Sequence, residues 1–241
     1  MLIKAAINGS RTPKEHHSIP VTPQQQAVES AAATAAGAGA IHLHVRGTEG
    51  RESLSPDDSA RALEAIRAAC PGVPVGISTG SWIVPDVEQR LNLIQAWEVL
   101  PDFASVNIHE EGAMRVIRLL IGKGIGVEAG VWNARVARAL LSSGLADECL
   151  RVLIEPCEEP GDAMANLGEI EAMLGSTSLP RLLHGLDGLA WEMISLAARR
   201  GYDTRTGFED TLRLPDGTVA QSNAAMVRAA FSIVETGVRE E

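Results

Sequence analysis

Short apolar runs alternate along this chain with longer segments whose apolar residues return at helical spacing, and the alternation continues to the end. The runs that read as strands are Leu2–Asn8, Ala40–His44, Val75–Ser78, Phe103–Asn107, Gly126–Glu128, Val152–Glu155, Arg181–His184 and Tyr202–Gly207. Between and after them, helical spacing predicts helices over Thr22–Ala36, Pro56–Ala69, Asp86–Ala96, Gly112–Ile121, Asn133–Ser142, Asp162–Leu174, Gly188–Arg199 and Ser222–Glu235. Start signals stand where they are needed: Thr22-Pro23, Ser55-Pro56 and Pro85-Asp86 put a capping residue or a proline at the first turn. Gly37, Gly72, Gly122, Gly144 and Gly175 follow helical segments, where a left-handed closing residue is expected.

Eight strand–helix pairs at a mean spacing of about thirty residues match the unit of an α/β (β/α)8 TIM barrel, which takes about 250 residues. The expectation is a single barrel domain over residues 1–241 with its site at the C-terminal face of the strands. An open doubly wound sheet is the rival reading.

Composition narrows the function more than the fold. Hydrophobic residues make up 45% and aromatics only 3%, so the core rests on Ala, Val, Leu and Ile. A formal net charge of -10 speaks against a nucleic-acid partner, because binding a phosphate backbone needs a basic face. No run is long and apolar enough to suggest a membrane partner, and the first residues lack a signal-peptide pattern, so a cytoplasmic location is expected. Cys70, Cys149 and Cys157 are odd in number and far apart, which suggests neither a disulfide framework nor a cysteine–zinc site.

In a barrel of this kind chemistry collects where strands end, and here those ends are polar. His42 and His44 stand two apart on one strand, so both face the same side, the interior near the mouth. Two imidazoles so placed suit a divalent metal; a hydrogen-bonded core histidine beside a solvent-facing one is the plain alternative. A third ligand is needed, and Glu128, Glu155, Glu209, Asp210 and His184 all qualify by type. The stretch "TRTGFED" packs Arg205, Glu209 and Asp210 after the eighth strand, close to the second in a closed barrel. That closeness favours Glu209 as ligand and leaves Asp210 as a base beside the metal. "GISTGSW" offers Ser78 and Thr79 to an anionic ligand or cofactor, and Trp82 and Trp132 are candidate pocket walls.

Taken together, "HLHVRGTEGRESLSPDD", "GISTGS" and "TRTGFED" resemble the β-keto acid cleavage enzyme family, whose founding activity is 3-keto-5-aminohexanoate cleavage. The resemblance implies a (β/α)8 barrel that holds a divalent metal, normally Zn2+, on His42, His44 and Glu209. It further implies catalytic roles for Asp210, Arg205 and Ser78, and for a glutamate past the fifth strand that matches Glu128. The implied partners are a small β-keto acid and acetyl-CoA as co-substrate, giving acetoacetate and a new acyl-CoA, in a homo-oligomer that is a tetramer. Thr211 stands where the family commonly has asparagine, and the chain is short for the family, so trimmed substrate-facing loops are expected. Two other readings are a metal-dependent amidohydrolase-type barrel and a non-catalytic metal- or ligand-binding barrel.

Overall fold

Every strand of the sheet pairs in parallel with its neighbours in chain order, and the last returns to the first, closing the barrel β1-β2-β3-β4-β5-β6-β7-β8. The computed structural model describes residues 1–156, 160–175 and 177–237; Cys157 lies outside the described residues. The strands are β1 Ile3–Ala6, β2 Ala40–Leu43, β3 Val75–Ser78, β4 Phe103–Asn107, β5 Gly126–Val131, β6 Arg151–Ile154, β7 Arg181–Leu183 and β8 Asp203–Thr206. The helices are α1 Pro23–Ala35, α2 Pro56–Ala69, α3 Val87–Gln95, α4 Ala113–Gly122, α5 Ala134–Ser142, α6 Pro160–Leu174, α7 Ala190–Arg200 and α8 Asn223–Gly237. The open-sheet alternative is excluded by the β1–β8 pairing, in which Lys4 stands opposite Arg205.

Local chemistry explains most boundaries. Thr22 forms a complete capping box with Gln25, and Asp86 and Asn133 each accept a backbone N–H at the start of their helices. Ser55 makes no such bond, and α2 begins instead on Pro56 followed by Asp57 and Asp58. Four of the five closing glycines have positive φ; Gly122 does not, being the last residue of α4, and the left-handed position falls to Gly124. The strand expected over Gly126–Glu128 runs on to Val131, and a 3-10 turn at Asp187–Leu189 precedes α7.

The apolar core lies mainly between barrel and helices, where Ile41, Leu43, Ile77 and Val127 meet Leu63, Ile66, Ile117 and Leu140. Side chains alternate along each strand, so the positions between these point inward. The inner floor is charged: Lys4, fully buried, pairs with Glu128 and lies 5.3 Å over the Phe103 ring. Arg151 continues the chain, 3.4 Å from Glu128 and 2.7 Å from Asp203. Gly76 is required beside Phe103, because a Cβ there would lie 2.0 Å from the ring.

Candidate metal centre and active-site cleft

Above that floor the barrel opens into a cleft of about 480 Å³, walled by His42, His44, Ser78, Ser105, Asn107 and Leu153 from the strands. Trp82, Trp132, Glu155, Leu186, Arg205 and Glu209 rim it. Most come from the C-terminal ends of different strands, where a barrel concentrates its chemistry.

His42, on β2, and His44, one residue past its end, both turn inward, as their spacing predicts. The Nε2 atoms lie 3.5 and 3.6 Å from one oxygen, Oε2, of Glu209. One ligand atom from each of the three residues can be chosen so that all lie within 4.8 Å of one another. Zinc–nitrogen and zinc–oxygen bonds of roughly 2.1 Å in a tetrahedron set the ligand atoms about 3.4 Å apart, so the separations fit an ion between them. Glu209 Oε2 is buried and accepts no hydrogen bond, whereas its other oxygen, Oε1, takes one from Arg205 Nη2 at 2.8 Å. A buried carboxylate oxygen left unpartnered while its twin is satisfied calls for a cation. Of the candidate third ligands, the structure brings only Glu209 to the histidines. His184 sits 3.2 Å from Glu155 and 3.6 Å from Asp210 instead.

Backbone detail makes this convergence possible. Gly9 adopts φ +56° under Glu209, and a Cβ there would come within 2.5 Å of the Glu209 Cγ. At Gly207 a Cβ would stand 2.0 Å from the carbonyl oxygen of Ala6, so only glycine lets the end of β8 press against β1. Asn8 fixes the His44 backbone from both sides, donating to its carbonyl at 2.9 Å and accepting its N–H at 2.9 Å.

Two residues that sequence reasoning did not assign support the histidines. Arg46 and Glu52 face each other across a tight antiparallel turn, which returns Glu52 to His44 Nδ1. A carboxylate on the far nitrogen fixes the ring's orientation and presents Nε2 to the centre. Arg46 spans to the carbonyls of Gly9 and Arg11, tying the loop after β1 to the end of β2. The glutamate eight residues past the histidine was the available signal, but spacing in a glycine-rich loop does not reveal a return turn.

Electrostatics set the two histidines apart, and a metal on His44 would have to displace a proton. Burial lowers His42 well below the usual histidine range, with Glu209 opposing, so its imidazole is neutral and free to bind a metal. His44 is also buried, yet Glu209 and Glu52 push it up to about 9. Glu209 is held well below the carboxylate range against its burial by Arg205, His42 and His44. Arg205 is buried and locked by Asp210 and Glu209, which raise it further. Its Nη2 lies 2.7 Å from Asp210 Oδ1, and its Nε reaches both Asp210 and His184 Nδ1 at 3.1 Å.

Other expected site residues fall differently. Ser78 lines the cleft, and its Oγ accepts the Gly80 N–H at 3.3 Å. Thr79 turns away from the cleft, donating its hydroxyl to the Ser105 carbonyl at 2.8 Å. Asp210 is buried behind Arg205, with Oδ2 unpartnered among the described residues. Glu128 does not reach the cleft; it is the fully buried counter-ion of Lys4 beneath it. Trp82 and Trp132 both border the cleft.

A 3-keto-5-aminohexanoate cleavage enzyme from Fusobacterium nucleatum is 27% identical over 266 residues, covering 100% of this chain and 93% of the relative. A 3-oxoadipate:acetyl-CoA acetyltransferase from Cupriavidus necator is 28% identical, covering 97% and 88%. Among solved structures, ObcA in a ternary complex with a C4-CoA adduct and oxalate superposes with TM-score 0.69 at 16% identity, covering 91% of this chain and 64% of that one. A type I 3-dehydroquinate dehydratase from Clostridium difficile superposes with TM-score 0.68 at 11% identity, covering 100% and 93%, a likeness of fold alone. The model of the beta-keto acid cleavage enzyme family matches residues 1–147 and 160–240. Because that match takes in both the histidine pair of β2 and the charged end of β8, the chain belongs to the β-keto acid cleavage enzyme family.

Proposed function

We propose that this protein exchanges acyl groups between a β-keto acid and acetyl-CoA. The carboxymethyl end of the keto acid leaves with the acetyl group as acetoacetate, and the remaining acyl group leaves on CoA. The observation that carries this reading is the convergence of His42 and His44 on the unpartnered Oε2 of Glu209, within the family match. A divalent metal such as Zn2+ held there supplies a Lewis acid for the keto acid's oxygens.

The chain's own groups suit the rest. Arg205 holds Glu209 by Oε1 and Asp210 by Oδ1, so that Glu209 Oε2 and Asp210 Oδ2 are the two oxygens left for ion and proton. Asp210 Oδ2 takes the proton between the two carbonyls of the keto acid. Arg205 keeps that carboxylate oriented and offers its charge at the cleft wall. Ser78 Oγ, turned into the cleft, binds an oxygen of the substrate or thioester. Trp82 and Trp132 wall the space for the keto acid's side chain.

The reading is tested by incubating purified protein with acetyl-CoA and a panel of β-keto acids differing in side-chain charge and size, with thioesters followed by mass spectrometry. A new acyl-CoA formed in step with acetoacetate is expected; release of free CoA alone would sink it. An amidohydrolase reading is disfavoured because the histidine pair ends β2 rather than the first strand, and His184 is engaged elsewhere. A purely ligand-binding barrel gives no purpose to the buried Asp210–Arg205 pair.

A homo-tetramer is part of the proposal on family resemblance, and light scattering on the eluting protein checks it. Free, buried Cys70 and Cys149 support the proposed cytoplasmic location. Among the described residues, no helix is long and apolar enough to cross a membrane.

A further inference from the structure

Trp82 is an expensive residue to leave at a cleft rim: it is 48% exposed in a chain with four tryptophans. Its contacts are specific. The indole N–H reaches both oxygens of the Glu52 carboxylate, at 3.1 and 3.2 Å. The same carboxylate holds His44 Nδ1. The Trp82 ring also lies stacked on His44, with centroids 5.9 Å apart and planes 29° from parallel. Beneath it is Gly80, where a Cβ would stand 2.2 Å from the ring, so the glycine is what lets the indole settle.

We infer that Trp82 is a positioning residue for the metal centre, acting through Glu52 on His44. The inference rests on the proposed metal site. Glu52 sits on a loop beyond the tight turn at Arg46 and reaches His44 with one carboxylate oxygen. A carboxylate on such a loop rotates freely unless a second donor fixes its plane, and among the described residues Trp82 is the side chain that donates to it besides His44. With the carboxylate fixed, the His44 ring cannot turn, and Nε2 remains 3.6 Å from Glu209 Oε2. The stacked indole covers the same imidazole, keeping water from competing for Nδ1. A wall residue that only shapes the cleft needs neither the N–H nor the glycine below.

The experiment uses full-length protein stripped of metal, titrated with Zn2+ against a competing fluorescent chelator, with no turnover required. Trp82→Phe keeps an aromatic ring and removes the donor; zinc affinity is expected to fall about tenfold or more. Gly80→Ala pushes the ring off from beneath and should weaken zinc in the same direction. Combining W82F with Glu52→Gln should cost little beyond E52Q alone, as expected of residues acting in series. In the metal-free protein the His44 Nδ1 proton should give a slowly exchanging downfield resonance that W82F broadens or loses. Zinc affinity of W82F within twofold of wild type, with that resonance intact, would overturn the inference and leave Trp82 a wall. Failure of the wild type to bind zinc would overturn the metal reading itself, and the two failures are thereby distinguished.

Discussion

At the floor of the barrel, the fully buried pair Lys4 and Glu128 continues through Arg151 to the partly exposed Asp203 as a chain of opposite charges, each carboxylate meeting a cation. At the mouth, His42, His44, Arg205 and Asp210 are buried and Glu209 nearly so, and Glu209 Oε2 and Asp210 Oδ2 have no hydrogen-bond partner. At the floor the two atoms without a hydrogen bond, Glu128 Oε1 and Arg151 Nε, face each other as an ion pair at 3.4 Å, whereas at the mouth Glu209 Oε2 faces two imidazoles that an ion could bridge. Burial lowers Lys4 below its ordinary range while Glu128 opposes, which marks a charge retained only because its partner is present. Burial and charge alone therefore do not identify a site; unsatisfied atoms that converge do.

The contrast can be broken most forcefully at the mouth. His42→Ala should remove bound metal and lower acyl exchange by at least about a thousandfold, since a Lewis acid stabilises by several kcal/mol. Metal analysis beside the exchange assay checks it, and a variant retaining stoichiometric metal would show that the ligands lie elsewhere. Asp210→Asn should keep the metal and lower kcat by about 10²- to 10⁴-fold, the span of general-base catalysis. Loss of metal together with activity would make Asp210 a structural support rather than the base.

At the floor the expected effect is on stability. Glu128→Gln leaves the Lys4 ammonium buried without its counter-charge and should cost about 3–5 kcal/mol in urea unfolding. Lys4→Met with Glu128→Leu should recover most of it, because replacing both charges removes the desolvation penalty. If E128Q instead keeps its stability and lowers kcat, Glu128 belongs with the mouth. The smallest effect concerns coupling: chelation should lower the Tm of wild type and of E128Q by the same amount, and that of H42A by nothing. Unequal shifts would show that the two layers act as one network.

Much of this is legible in the sequence. Helical and strand periods gave eight units, and the caps Thr22 and Asp86 lie where the residue types predict. The pair His42 and His44 announced itself because strand alternation forces both onto one face. Glu128 shows the limit: an inward glutamate on β5 has the same period whether it ends in a cleft or on a lysine. Thr79 shows another, since the hydroxyl that precedes a glycine turn chose the Ser105 carbonyl over the cleft. Glu52 escaped, and Trp82 was legible only as a cleft wall and not as a partner of Glu52, because turns and loops carry no period.

By itself, then, the sequence determined the element order, the barrel and the strand ends that carry chemistry, since these follow from local propensity and the period of burial. Only closure of the barrel decided which carboxylate joins the histidines. Glu209 stands 167 residues from His42 along the chain, and the pairing of β8 with β1 brings their side chains to 3.5 Å. Glycines at 9 and 207 permit that approach because a side chain at either would collide with what passes beside it. Distance along a chain says nothing of such meetings; they are set by which strands share hydrogen bonds and by where backbones are bare enough to touch.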